Sequence, residues 1–125
     1  MELLHTISLY IMAAFYAFAG YSHFTKPRFF YKITPPALKK WQEQINVIVG
    51  IAELAGAIGL IIPATRTYAA VGIIALLVAV FPANIYHLQS RGAGMKVPMW
   101  GLWLRIPIQF LLIWWAWSFV GAPIR

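Results

Sequence analysis

The chain has 125 residues, of which 62% are hydrophobic and 10% are charged. Soluble globular domains have about 45–50% apolar and about 25% charged residues, so this composition indicates one all-α membrane domain over residues 1–125. The absence of cysteine excludes disulfides, thiolate metal sites and dithiol redox relays. The net charge of +7 does not predict nucleic acid as a partner, because the basic residues flank apolar segments and orient them in a lipid bilayer.

Four apolar segments have about the length that a helix needs to cross roughly 30 Å of hydrocarbon. They cover residues 3–24, 45–62, 67–87 and 100–120, and their short connections predict an up-down-up-down four-transmembrane-helix bundle. Thr34, which precedes two prolines, is typical of a helix start. We therefore expect the second helix to extend back along the membrane surface through residues 37–44.

The basic residues predict the orientation of the bundle. Only two basic residues, Arg66 and Arg125, lie on one side of the bundle, whereas the first and third connections hold seven basic residues. Positive charge favours the cytoplasmic side, so we expect these two connections in the cytoplasm and both termini outside. The seven residues are Lys26, Arg28, Lys32, Lys39, Lys40, Arg91 and Lys96.

A few polar side chains interrupt the apolar segments, namely His23, Glu53, Asn84, Arg105 and Gln109. An unpaired polar group in hydrocarbon costs several kcal/mol, so each of them needs a partner or a function. All five fall in the cytoplasmic half of the bundle, where Glu53 and Arg105 lie at depths that allow an ion pair. The cluster predicts a ligand-binding pocket; alternatively, the same residues only fix the register of the helices.

Two prolines lie inside the third and fourth segments and predict kinks next to this cluster. Pro82 removes one backbone hydrogen bond, which frees the carbonyl near Val78 and lets Asn84 turn inward. Pro107 frees a carbonyl beside Arg105 in the same way. Together the kinks and the amides favour a polar pocket.

Aromatic and histidine residues near the basic side each have two interpretations. Phe29, Phe30 and Tyr31 either anchor the first connection at the lipid surface or form a lid over the pocket. His23 and His87 permit a bis-histidine haem, but interfacial histidines are usually only hydrated, so we do not expect haem. No metal-binding set and no nucleophile-base pair is present in the sequence, and we expect no self-contained catalytic activity.

Four motifs, "AGYSHFTKPRFFYKITPP", "GIAELAGAIGLIIPATR", "FPANIYH" and "LRIPIQ", together resemble the DoxX family of small four-helix membrane proteins over nearly the whole chain. The family name comes from a membrane subunit of a thiosulfate:quinone oxidoreductase, other members are associated with redox-stress complexes, and distant relatives include receptor-assembly chaperones. A thiol-based mechanism cannot transfer to this chain, which lacks cysteine. The resemblance implies that nine residues correspond to motif positions of this family. They are Gly20, His23, Phe24, Pro27, Glu53, Pro82, Asn84, Arg105 and Gln109.

These observations lead to the hypothesis of a non-catalytic accessory subunit in a bacterial-type inner membrane. Its pocket would bind the headgroup of a quinone or a lipid for a partner oxidoreductase. Arg105 would hold an anionic or carbonyl oxygen, Glu53 would balance its charge or pass a proton, and His23 would connect the site to water. Asn84 and Gln109 would orient the ligand. The alternatives are an assembly chaperone that holds another protein's transmembrane helix with the same polar face, and a small transporter. The sequence leaves homo-oligomerisation open.

Overall fold

The computed structural model of the chain describes residues 2–32, 34–90 and 98–121. These residues form five α-helices and one 3-10 helix, and no β-strand occurs among them, which confirms the predicted all-α fold class. The helices are α1 (Glu2–Thr25), α2 (Pro27–Lys32), the 3-10 helix (Pro36–Trp41), α3 (Gln42–Ile61), α4 (Arg66–Gln89) and α5 (Met99–Trp117).

Four of the helices are long and apolar enough to cross a membrane. They are α1, α3 together with the 3-10 helix before it, α4 and α5. The described chain is therefore a multi-pass membrane protein that places these helices in a lipid bilayer. The short helix α2 and the 3-10 helix connect the first two spans.

The second span has the predicted helical extension, but the extension is partly a 3-10 helix. The helical stretch begins at Pro36 and continues into the span, but Thr34 does not cap it, since its hydroxyl donates a hydrogen bond back to the carbonyl of Phe30, 3.0 Å away. A separate 3-10 helix follows, with proline in its first turn, and α3 begins only at Gln42. The predicted helical extension is thus divided between these two elements.

The fourth span ends earlier than predicted, at Trp117 rather than at residue 120. The Ser118 hydroxyl donates to the Trp115 carbonyl at 2.5 Å and so takes up an acceptor at the end of the helix. Gly121 has a φ of 70°, a left-handed conformation that glycine adopts without steric cost. These local contacts turn the chain after α5.

The long helices pack in the order α1, α3, α4 and α5, each antiparallel to its neighbour. Glycines allow the closest approaches, because a Cβ atom on Gly20 of α1 would lie only 2.8 Å from the carbonyl oxygen of Gly50 on α3. On the other side of α3, a Cβ on Gly59 would lie 2.8 Å from the Cβ of Ala69. Close backbone approach of this kind is how helices associate within lipid.

The half of the bundle that contains the start of α1 and the end of α5, here called the terminal half, has an apolar core. Leu9, Met12, Leu60 and Phe119 are fully buried there. One charged side chain joins this half, since Arg66 at the start of α4 is only 2% exposed and its Nε donates to the carbonyl of Leu60 at 2.8 Å. The sequence had placed Arg66 in a connection, but its cation compensates the carbonyls at the end of α3.

The opposite half, here called the basic half, contains the end of α1 and the start of α3. Helix α2 and the 3-10 helix lie at its end, together with Lys26, Arg28, Lys32, Lys39 and Lys40. The other residues used to predict orientation, Arg91, Lys96 and Arg125, lie outside the described residues. The direction of the bundle in the membrane therefore stays a prediction.

Candidate functional site

The basic half encloses a cavity of about 230 Å³. It is bounded by α1, α3, α4 and α5 and by the segment that carries α2. Hydrogen-bonding side chains of all four long helices line it, and apolar side chains form the remainder of its wall. The polar lining includes His23, Asn46, Glu53, Asn84, Arg105 and Gln109.

One side of the cavity is a buried network between α1 and α3. His23 Nδ1 lies 2.6 Å from Asn46 Oδ1, and the Asn46 amide donates in turn to the His23 carbonyl at 2.7 Å. His23 Nε2 lies 2.9 Å from Glu53 Oε1. Asn46 and Glu53 are seven residues apart, which is two helical turns, so both face α1, while Gly50 between them lets His23 approach.

One proton in this network is shared between His23 and Glu53. Asn46 Oδ1 can only accept a hydrogen bond, so His23 Nδ1 must carry a hydrogen. The contact between His23 Nε2 and Glu53 Oε1 then holds a single proton, either on the imidazole or on the carboxyl group. With either placement the His23 and Glu53 pair is neutral as a whole.

The other side of the cavity is a chain of hydrogen bonds between α4 and α5. Arg105 Nη2 donates to Asn84 Oδ1 at 2.8 Å, and Asn84 Nδ2 donates to Gln109 Oε1 at 2.5 Å. Gln109 Nε2 donates onward to the carbonyl of Leu77 on α4. Arg105 Nη1 also lies 2.6 Å from His87 Nδ1, which must accept because a guanidinium only donates. Arg105 and Gln109 reach these partners together because residues four apart share a helix face.

The described chain has no direct ion pair between Glu53 and Arg105, although their depths in the membrane allowed one. Both residues line the cavity, but within the described chain Glu53 pairs with His23, and Arg105 bonds to Asn84 and His87. The physical reason is the availability of nearer partners on adjacent helices. The cavity separates the two networks instead of being closed by a contact between them.

The two prolines lie within continuous helices. Helix α4 runs through Pro82, and α5 runs through Pro107. Near Pro82, the carbonyl of Leu77 on α4 accepts a side-chain hydrogen bond, and it lies one residue before the predicted Val78. Its donor is Gln109, so a side chain of the neighbouring helix bonds the backbone close to the proline, as helices in lipid require.

The three aromatic residues predicted as a lid have different positions. Phe30 lines the cavity and stacks on the His23 ring, with centroids 3.7 Å apart and an angle of 18° between the planes. Phe29 packs edge-on against Phe30 at 5.1 Å and against His87 at 6.5 Å. Tyr31 instead presents its backbone carbonyl to the ammonium group of Lys39. Only Phe30 has the position of a cover over the polar networks.

Sequence reasoning missed two residues of the site. Asn46 lies one residue inside the predicted second span, and its spacing of seven from Glu53 places both on the same helix face. Tyr16 lies seven residues before His23 on α1 and lines the cavity too. Its side chain is 4% exposed, and its hydroxyl has no hydrogen-bond partner in the described structure. A buried hydroxyl of this kind marks a place where a ligand atom could bond.

The histidines do not form a suitable haem site. Both ring nitrogens of His23 already contact side chains, so neither is free to bind iron. His87 Nδ1 accepts from Arg105. Among the described residues, no group of three or more histidine or acidic side chains is arranged to hold a metal ion.

Fold and site together define a four-helix membrane protein with an internal polar cavity. The family described as a domain of unknown function, DUF8561, matches residues 12–120, and the chain belongs to this family. The family that matches is not described as DoxX, so that resemblance stays a prediction. No curated protein and no solved structure matches the chain.

Proposed function

We propose that the protein binds the polar headgroup of a lipid-soluble molecule, a quinone or a lipid, as a non-catalytic accessory subunit of a membrane oxidoreductase or redox-stress system. One observation carries the proposal: two hydrogen-bonded networks, contributed by four helices, face the same cavity inside a largely apolar bundle. Polar side chains are costly in hydrocarbon, and their concentration around a cavity is typical of a binding site.

The size and the position of the cavity support a headgroup as the ligand. Its volume of about 230 Å³ is below the roughly 300–1,000 Å³ of pockets that enclose a whole drug-sized molecule. Phe15 lines the cavity and yet is 48% exposed on the outer surface of α1. A bound molecule could therefore place its polar end among the networks and leave its apolar part in lipid.

The alternative of a purely structural cluster explains less. Side chains that only fix helix register would be expected to contact each other directly, whereas here a cavity lies between the two networks. The Tyr16 hydroxyl is buried without a partner in the described chain, which adds a cost that register alone does not require. A ligand with an acceptor atom would remove this cost.

The side chains have distinct roles in this proposal. Arg105 uses two of its donors within the network and can present others to an oxygen atom of the ligand. The proton held between His23 and Glu53 can move to or from a bound group. Asn84 and Gln109 hold Arg105 in place and limit its orientation, and Phe30 covers His23.

The resemblance to the DoxX family supports the association with an oxidoreductase. A bacterial-type inner membrane, with the basic half toward the cytoplasm, is part of the same proposal. The chaperone alternative would need the polar residues to reach a partner helix, but His23, Glu53, Asn84 and Gln109 are all buried inside the bundle. Transport would need alternating access, which four spans provide less readily than larger bundles.

A substitution that fills the cavity tests the binding role without changing either network. Ala83 on α4 lines the cavity, so Ala83→Leu should reduce the quinone or lipid that the gently extracted protein retains at least severalfold, as measured by mass spectrometry. Ala79 lies one turn earlier on α4 and is exposed, so Ala79→Leu is the matched control. Equal retention of small molecules by the unmodified protein and both variants would favour the structural cluster.

A further inference from the structure

We propose that the cavity selects an amphiphile whose headgroup carries one negative charge, such as a carboxylate or a phosphodiester. This inference rests on the proposed binding function and narrows its ligand class. It follows from the charges that the cavity wall presents. The titratable lining residues in the described chain are Tyr16, His23, Glu53 and Arg105.

The acidic residue of the cavity does not compensate the basic one. The pair of His23 and Glu53 holds one shared proton and is neutral, because His23 Nδ1 must donate to Asn46. Glu53 is therefore already neutralised within its own network. No negative charge remains on that side of the cavity to balance a cation on the other side.

Arg105 keeps its positive charge without an anionic partner. The acceptors that it binds are His87 Nδ1 and Asn84 Oδ1, and both belong to uncharged groups. An arginine cannot lose its proton in a protein, so it cannot relieve the cost by becoming neutral. Cations within membrane spans pair with counter-charges or face a polar pathway. An anionic headgroup in the cavity would supply the missing counter-charge.

The Tyr16 hydroxyl supplies a second attachment point. It is buried, it has no partner in the described chain, and its side chain lines the same cavity. Two helical turns, about 10 Å along the axis, separate it from His23, so it lies deeper in the bundle than the basic residues around α2. A hydroxyl donates readily to a carboxylate or phosphate oxygen, and such charge-assisted hydrogen bonds are stronger than neutral ones.

The basic residues around α2 and the 3-10 helix, here called the rim of the basic half, favour the same ligands. They lie near Phe30, which covers the cavity, and they are Lys26, Arg28, Lys32, Lys39 and Lys40. Basic residues near a membrane surface attract anionic headgroups and raise their local concentration. This attraction is screened by salt, whereas selection inside the cavity is screened much less.

Competition binding in nanodiscs of phosphatidylcholine tests the ligand class. The probes are phosphatidylglycerol, palmitate, and the neutral quinone decylubiquinone. We expect either anionic probe to bind at least about 10-fold more tightly than decylubiquinone, with a preference that persists at high salt. The phosphatidylglycerol and palmitate arms distinguish a phosphodiester from a carboxylate as the natural headgroup.

Two substitutions locate the preference in the cavity. Arg105→Gln should reduce the ratio of anionic to neutral binding to near one, and Arg105→Lys, which keeps the charge, should retain most of it. Arg28→Gln, at an exposed position of the rim, should change the ratio less than twofold. Tyr16→Phe should weaken anionic binding about 3-fold to 10-fold, whereas Tyr21→Phe, at an exposed position of the same helix, should not.

The outcomes separate this inference from the proposed function. Decylubiquinone binding as tightly as the anionic probes, with the ratio unchanged by Arg105→Gln, would overturn the anionic class and leave the binding function intact. A preference that disappears at high salt or in Arg28→Gln would assign the effect to the rim and overturn selection by the cavity. Failure of every probe to bind the unmodified protein would overturn both.

Discussion

Different contacts hold the helices together in lipid in the two halves of the bundle. In the terminal half, Leu9, Met12 and Phe119 are fully buried against one another and close the core. In the basic half, glycine contacts bring α1 and α3 together, while polar side chains surround a cavity. The terminal half shows that this chain can pack mainly through apolar side chains, with the buried Arg66 bonded to a backbone carbonyl. The basic half therefore carries its polar residues at an energetic cost that a binding function would explain.

The largest effect should come from disturbing the glycine contact in the basic half. In Gly20→Val, the new Cβ would lie 2.8 Å from the Gly50 carbonyl oxygen and 3.0 Å from the Leu54 nitrogen, both backbone atoms that cannot move aside independently. We expect the free energy of unfolding to fall by about 3 kcal/mol or more. Loss of helicity during titration with a denaturing detergent measures this change.

Gly72 provides the matched control for this substitution. A Cβ at Gly72 on α4 would have no atom within 4 Å, so Gly72→Val should leave the unfolding free energy nearly unchanged. If both glycine variants unfold at the same detergent concentration, the α1 and α3 crossing does not depend on close backbone approach. The contrast between the two halves would then lose its basis.

A pair of leucines compares the packed core with the cavity wall directly. Leu60 is fully buried in the core of the terminal half, whereas Leu112 is partly buried, packs against the edge of that core and lines the cavity. Leu60→Ala should cost about 2 kcal/mol through lost packing, near the lower end of the range for such substitutions because the surrounding lipid is apolar. Leu112→Ala should cost less than about 1 kcal/mol, since part of its surface already faces a void.

The same detergent titration distinguishes these two leucine variants. A third variant, Leu111→Ala on the exposed face of α5, should have almost no effect and reports on helix propensity alone. Equal costs for Leu60→Ala and Leu112→Ala would show that the cavity wall is packed as tightly as the core. That result would contradict the difference between the halves.

The sequence predicted the number and type of the spans because their apolar lengths dominate local structure. The early end of α5 was missed because it depends on Ser118 and Gly121, whose local hydrogen bond and backbone conformation outweigh the apolar pattern. The separate 3-10 helix was missed for a similar reason. Thr34 is a common helix start, and its bond back to Phe30 depends on the fold of the connection.

The site was predicted less completely than the fold. The predicted depths in the membrane placed Glu53 and Arg105 in the same region, but depth alone does not specify which side chains contact each other. His23 lies opposite Glu53 because α1 and α3 cross at Gly20 and Gly50, and a single sequence does not reveal that crossing. The contact between Asn46 and His23 depends on the same crossing. Helical spacing could identify such residues only after one contact between helices was known.

The smallest expected effect concerns the cover of the cavity. Phe30 stacks on His23, and Phe30→Ala should remove a ring interaction of about 0.5–1.5 kcal/mol without disturbing the long helices. We expect bound quinone or lipid to dissociate severalfold faster, as followed by its release from the purified protein into empty vesicles. Phe29→Ala is the control, because Phe29 is half-exposed and lies outside the cavity lining. If both variants release the ligand at the rate of the unmodified protein, Phe30 anchors the basic half at the membrane surface and does not act as a lid.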